Sequence, residues 1–421
     1  MESTSSELAW LDLSEASQLI RQRAVSPVEL TWSLLERIQR LNKKLNAFIT
    51  VTAESAMQEA CQAEKDIAKG QWRGPLHGIP IALKDNIEVA QVRTTAGSAV
   101  LQNHIPANDA AVVQRLREAG AVLLGKLNLH EFAYGASSII SHFGVVRNPW
   151  HPEYIAGGSS SGSAAAVAAG LCYASIGTDT GGSIRLPASH CGVVGLKPSY
   201  GLVSTRGIIP LSWTFDHVGL MTRTVNDNAL VLQVIAGYEP ENINSHRFPA
   251  ANYTAATQET TTCLRLGVPR EFFWEELDGE VLHAAEAALN LLSKFTASTR
   301  EITLPMPADT IVFRCEPFIS HQQHLAEHAS QYHPETLRRI QTGADITAAE
   351  YVESHRKLRL LRREILRAFA EVDLLVTPTT LVLPSKIADL ESSPQRLRSV
   401  ELLMAGNTQP FNAFGLPAIS V

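Results

Sequence analysis

Apolar residues recur along this chain at two periods, and the change of period divides it. Over residues 8–69 the period is helical: Leu30, Leu34, Ile38 and Leu41 stand three to four residues apart and so share one helix face. Ser26-Pro27 supplies a side-chain oxygen and a fixed φ, the signal of a helix start. The stretch Gly70–Gly78 breaks the pattern. Short apolar runs then alternate with helical stretches. Ile79–Leu83 reads as a strand, Ala110–Ala119 as a helix and Ala121–Gly125 as a strand. Ala164–Ala169 reads as a helix leading into a strand at Ala174–Gly177. Further on, Leu264–Val268 reads as a strand, Glu280–Phe295 as a helix, and Glu350–Ala370 as a long arginine-rich amphipathic helix. Asp373–Thr377, stopped by Pro378, reads as a buried strand. Such alternation predicts an α/β protein, a sheet layered by helices.

No internal repeat or low-complexity linker interrupts the chain, so residues 1–421 are expected to form one domain. Within it a helical segment runs to about residue 70, a core occupies about 71–230, and a variable region about 235–345. Asn412–Val421 is an apolar, strand-like run, which predicts that the natural chain continues. An apolar content of 45% and a charged content of 19% fit a globular chain, not a disordered one. The net charge of −6 speaks against direct nucleic-acid binding, which usually needs a basic stripe. Ala164–Cys172 is too short to span a bilayer. The N-terminus lacks a basic region followed by an apolar one, so no secretory signal is expected. Cys61, Cys172, Cys191, Cys263 and Cys315 are odd in number and none has C-x-x-C spacing. Reduced thiols in the cytoplasm are therefore expected, with no zinc site.

The candidate chemistry lies in three segments. Lys84 ends the apolar run Ile79–Leu83, and burial there would lower its pKa toward that of a useful base. Asp179-Thr180-Gly181-Gly182-Ser183-Ile184-Arg185 places a serine after two glycines. The N–H groups of Thr180, Gly181, Gly182 and Ser183 are candidates to converge on one anion as an oxyanion hole. Gly157-Gly158-Ser159-Ser160-Ser161-Gly162-Ser163 is the third. It lacks the Gly-Lys-Ser/Thr of a phosphate-binding loop and does not match G-x-G-x-x-G. Gly158–Gly162 does match G-x-S-x-G, which would choose Ser160 as nucleophile. That elbow needs a strand directly before it, and Pro149 and Pro152 make a poor one.

Together the three segments resemble the amidase signature family. The family pairs a lysine after an apolar strand with a G-G-S-S-[GS]-G loop and a D-x-G-G-S-[IV]-R loop. Here 75 residues separate Lys84 from Ser159 and 24 separate Ser159 from Ser183, as in the family. Gly74–Pro80, Gly125–Asn128, Glu131–Ala133, Asn148-Pro149 and Gly192–Pro198 add to the match. It is dense over about residues 25–230 and resumes weakly at Leu264–Arg270, Asp373–Pro378 and Asn412–Val421. Ser161 stands where many members have glycine.

The resemblance implies a three-layer α/β/α fold around a large mixed, twisted sheet. It implies Ser183 as acylated nucleophile, Ser159 as a bridging serine after a cis peptide bond, and Lys84 as base. Ser160, Asp179 and Arg185 would support the loops. Tyr134 would border the substrate pocket, and Trp213 and Phe215 are further candidates to line it. No metal or cofactor is implied.

Other clusters read more plainly. Asp216-His217 is expected to be structural, since adjacent residues rarely orient each other. His321, His324 and His328 have helical spacing but no Glu or Cys completes a metal set. Arg356, Lys357, Arg359, Arg362, Arg363 and Arg367 read as a solvated basic face.

The leading functional expectation is an amidase acting on a small linear carboxamide. The alternative is the glutaminase subunit of a tRNA-dependent amidotransferase. That branch carries a Phe/Tyr-Asp-Gly-x-Arg-Tyr-Gly run that residues 300–350 lack. A silent scaffold is a third reading, disfavoured by the intact Lys84, Ser159 and Ser183. The expected partners are a small amide and, at most, a second copy of the chain, with no direct nucleic-acid or membrane contact.

Overall fold

A computed structural model describes residues 7–421. The reading of the N-terminus as free of a signal falls partly on residues 1–6, outside them. Helix α1 (Leu13–Arg21) is followed by α2 (Pro27–Leu45), whose N-cap Ser26 accepts from Val28 N–H at 3.0 Å. Pro27 fills the first helical position, where a missing N–H costs nothing. The periodic face is the buried one: Leu30, Leu34 and Ile38 lie in the core.

The region read as wholly helical is interrupted. Asn46 caps α2 in the left-handed region, and β1 (Phe48–Val51) runs between α2 and α3 (Ala53–Ala68). Four residues are too few to show a period of two, so tertiary pairing decides this element. The pairing is close. A Cβ on Gly125, whose φ is +146°, would stand 2.1 Å from the Thr50 carbonyl oxygen of β1.

The alternating elements follow as β2 (Pro80–Lys84), α4 (Ala111–Glu118), β3 (Val122–Leu127), α5 (Ser161–Ala168), β4 (Ala174–Asp179), α6 (Arg185–Cys191), β5 (Val194–Lys197), β6 (His217–Thr222) and α7 (Val225–Ile235). Then come β7 (Arg265–Val268), α8 (Gly279–Leu292), β8 (Ser298–Glu301), α9 (Ile311–His328), α10 (Pro334–Gln341), α11 (Ala348–Glu364), β9 (Leu374–Leu375), α12 (Pro394–Ala405), α13 (Gln409–Phe414) and β10 (Ala418–Ser420).

Seven strands form one mixed sheet in the order β1-β3-β2-β4-β6-β5-β10. β2 runs parallel to β3 and β4; the other pairs are antiparallel. Every residue of β2, β3, β4 and β6 is buried, because helices cover the sheet. α2, α3 and α7 pack against it, and α5 and α6 form another packed set. This is the three-layer α/β fold expected.

A second sheet, β8-β7-β9, is all parallel and lies after α7 in the chain. Its edge strands are exposed: every residue of β8 is in solvent, and Leu374 of β9 is 47% exposed. The expected buried strand at Asp373–Thr377 is thus a two-residue edge.

The run Asn412–Val421 also differs from a continuous strand. Its first residues belong to α13, and only Ala418–Ser420 pair, antiparallel, with β5. Among the described residues no helix is long and apolar enough to cross a membrane.

Candidate active site

Parallel pairing brings the C-terminal ends of β2 and β4 side by side, the edge where ligand sites gather in open α/β sheets. Lys84 ends β2 and Asp179 ends β4. The glycine-rich segment Gly157–Ser163, which runs into the first turn of α5, closes over the same edge, and its Gly158–Ser159 peptide is cis.

Lys84 is fully buried. Its Nζ donates to Ser159 Oγ at 2.8 Å, to Thr178 Oγ1 at 2.8 Å and to the Thr178 carbonyl at 3.3 Å. Burial pulls its pKa down to about 7, and the negative charges of Asp179 and Asp216 oppose that fall. The chain thus places an amine that titrates near neutrality against a serine hydroxyl.

Ser183 faces the open side. It is held to the first loop through its backbone oxygen, which accepts from Ser160 N–H at 3.1 Å. Among the described residues no hydrogen bond joins the Ser159 and Ser183 hydroxyls. Ser160 points inward and donates to the Thr178 carbonyl at 3.0 Å. Its side chain is buried, unlike the exposed serine of a nucleophile elbow.

Asp179 organises the second loop. Its carboxylate accepts from Gly182 N–H at 2.8 Å, Ile184 N–H at 3.1 Å and two nitrogens of Arg185 at 3.0 and 3.1 Å. Burial works to raise its pKa, but Arg185, Lys197 and Asn412 outweigh burial and hold it below the usual carboxylate range. The Gly182 amide is therefore committed to Asp179. Of the four amides expected to face an anion, those of Thr180, Gly181 and Ser183 remain. Thr180 Oγ1 in turn donates to Asp216 at 2.6 Å, and the amides of Leu211 and Ser212 donate to the other oxygen of that carboxylate. Asp216 thus ties the Thr180 side chain to the Leu211–Ser212 turn, and its charge also reaches Lys84.

A pocket of about 70 Å³ opens at Ser183. The loop Thr180–Ser183 and Gly158 form its floor, and Tyr134, Leu211, Phe313, Arg398 and Glu401 line its walls. Tyr134 is in the lining. Trp213 and Phe215 are not in the lining. The turn that carries them is tied down by Glu316, which accepts from Ser212 Oγ, Thr214 N–H and Thr214 Oγ1. That leaves Leu211 at the pocket and sends Phe215 into a separate cavity of about 250 Å³ with Val312, Leu358 and Leu361.

Four residues of the site are not singled out by the sequence motifs. Thr178 holds Lys84 from within β4. Asn412 on α13 donates to the Asp179 carbonyl at 3.0 Å and accepts from Arg185 at 2.7 Å. Arg398 and Glu401 come from α12, some 215 residues after Ser183. Only Asn412 lies in a segment that repeats the family's pattern.

The remaining clusters sort by packing. His321 is buried and its Nδ1 lies 2.8 Å from Tyr332 Oη. Among the described residues no group of three His, Cys, Asp or Glu is arranged to hold a metal. Arg362 leaves the solvated face expected of it: it donates to the carbonyls of Ala413 and Thr214 at 2.9 and 3.0 Å and covers the Tyr200 ring.

The family model described as Amidase matches residues 29–421. A glutamyl-tRNA(Gln) amidotransferase subunit of Moorella thermoacetica is 38% identical, over 99% of this chain and 90% of its own. Among solved structures, native peptide amidase from Stenotrophomonas maltophilia superposes with a TM-score of 0.81 at 31% identity, over 97% of this chain and 89% of that one. A chain from a vestigial protein complex, described as revealing the origins of an s-triazine catabolic enzyme, superposes at 0.90 with 31% identity, over 97% and 90%. These relatives correct the expected partners. A chain whose relatives are subunits is not confined to a small amide and a second copy of itself.

Proposed function

The chain belongs to the amidase family of carbon–nitrogen hydrolases, and from that premise we propose that Ser183 attacks the carbonyl of a small carboxamide while Lys84 takes the proton through Ser159. The observation that carries this reading is the 2.8 Å contact between the buried Lys84 amine and Ser159 Oγ beside the pocket that holds Ser183. With Lys84 neutral, the Ser159 hydroxyl donates to Nζ and is free to receive the Ser183 proton; the two hydroxyls close on each other as substrate binds. The carbonyl oxygen, now negative, meets the free amides of Thr180, Gly181 and Ser183. The proton returns from Lys84 through Ser159 to the leaving nitrogen, the C–N bond breaks, and acyl-Ser183 remains. Water adds to the acyl group and gives up its proton by the same route, releasing carboxylate and restoring Ser183.

The relatives favour one setting for this chemistry. Eight of them, 37–40% identical, are named as subunits of glutamyl-tRNA(Gln) amidotransferase. We therefore read the chain as the ammonia-releasing, glutaminase-type component of a cytoplasmic assembly. A free-standing amidase is the second reading, favoured by the missing Phe/Tyr-Asp-Gly-x-Arg-Tyr-Gly run. Fluorophosphonate labelling tests the chemistry: Ser183 is expected to be modified in the native chain, and Ser183→Ala and Lys84→Ala are expected to block it. Modification at Ser160 overturns the assignment. Ammonia release by the purified chain, measured with and without the polypeptides that co-purify with it, separates the two settings.

A further inference from the structure

One wall of the Ser183 pocket carries a guanidinium that, among the described residues, no ion pair engages. α12 contributes Arg398 and, one turn on, Glu401. Residues three apart on a helix are natural ion-pair partners, yet this pair is not formed. Glu401 is buried and already occupied. Its Oε2 meets Arg339 Nη2 at 2.6 Å, and its Oε1 accepts from Ser137 Oγ at 2.7 Å and Ala136 N–H at 3.2 Å. Arg339 in turn reaches Glu335 at 3.0 Å and donates to the Tyr134 carbonyl at 2.8 Å. Arg338 also pairs with Glu335, at 2.7 Å. Arg338 and Arg339 thus take up both carboxylates, and Arg398 is left out. Among the described residues no carboxylate, carbonyl or ring takes its guanidinium.

A half-buried arginine without a partner is costly to keep in a pocket unless something arrives to pair with it. Its planar fork of N–H donors fits a carboxylate, two bonds to two oxygens. The floor of the same pocket holds Ser183 and the free amides that would receive the amide carbonyl. Glu401 has no oxygen left over, so the lining offers no equivalent grip on a cation.

We propose that the amide hydrolysed here carries a free carboxylate, and that Arg398 binds it while the carboxamide lies at Ser183. This deepens the amide-hydrolase reading and rests on it. It holds for glutamine and for simple ω-amic acids alike, and it sets neutral aliphatic and aromatic amides aside.

The test compares succinamate with 4-methylpentanamide, in which two methyl groups replace the carboxylate oxygens. The native protein, with whatever co-purifies, is expected to favour succinamate in kcat/KM by about tenfold to a hundredfold, the usual worth of a hydrogen-bonded charge pair. Arg398→Gln is expected to bring the two amides to within a few-fold of each other through a higher KM for succinamate, and Arg398→Lys to keep part of the preference. Calorimetric titration of Ser183→Ala with succinamate reads binding without turnover. Affinity is expected to fall at least about tenfold when Arg398→Gln is added. Equal use of both amides by the native protein overturns the proposal, as does a preference that survives Arg398→Gln. If neither amide is hydrolysed, the amide-hydrolase reading fails and the calorimetry still decides: succinamate binding that ignores Arg398, or no binding, overturns the site.

Discussion

The central residue is Lys84, and its protonation sets the pH behaviour. Only the neutral amine accepts a proton from Ser159. Because burial lowers its pKa from 10.5 to about 7, kcat/KM is expected to rise with pH through about 7 and to be lost on the acid side. Asp216 modulates this. Burial pushes its own carboxyl up to about 6, and its negative charge favours the Lys84 cation. Asp216→Asn removes that charge while leaving an oxygen for Thr180. The acid limb of the pH profile is expected to move to lower pH; an unmoved limb would show that another group controls it. Lys84→Ala is expected to cost about 10²- to 10⁴-fold in kcat/KM, the range of a lost general base.

At the scale of elements, the site is a loop braced from behind by the last helices. Gly182 shows how tight the bracing is. Its φ is +129°, and a Cβ there would stand 2.0 Å from Thr408 Oγ1. Thr408 cannot simply retreat, since its hydroxyl donates to the Gly181 carbonyl at 2.8 Å. Gly182→Ala is therefore expected to displace the loop and the amides of Gly181 and Ser183 with it. Labelling of Ser183 by a fluorophosphonate should slow by about 10²-fold or more, the cost of a lost oxyanion donor, while circular dichroism stays native. α13 does the complementary work. Asn412 fills the hydrogen-bonding capacity of Asp179 and Arg185 that the loop itself leaves open.

The whole molecule joins a densely buried sheet to a looser second region. The inner strands β2, β3, β4 and β6 are buried throughout, whereas residues 246–263 are almost wholly exposed. We propose that the described residues nevertheless form one folded unit. Side chains from both parts meet at Asp179, Arg185 and Asn412, and β10 from the chain's end completes the main sheet. Limited proteolysis is expected to cut first within 246–263. The nicked protein is expected to elute as one species and to keep fluorophosphonate labelling at Ser183. Separation of the fragments in native buffer would count against a single unit.

Local pattern alone carried much of this. The helical period of Leu30, Leu34 and Ile38, the apolar runs of β2 to β4, and the spacing of Lys84, Ser159 and Ser183 are properties of the chain itself. They depend on nearby residues and on a backbone that repeats, so they are legible without a fold. Strand β1, the helical start of Asn412–Val421 and the lining of the pocket are of another kind. Each depends on a partner far away in the chain: β3 for β1, Asp179 for Asn412, Glu316 for the turn that sends Phe215 aside. Arg398 is the plainest case. In the sequence it stands three residues from a natural ion-pair partner. Only the fold, by giving that partner to Arg339, leaves its charge free at the pocket wall.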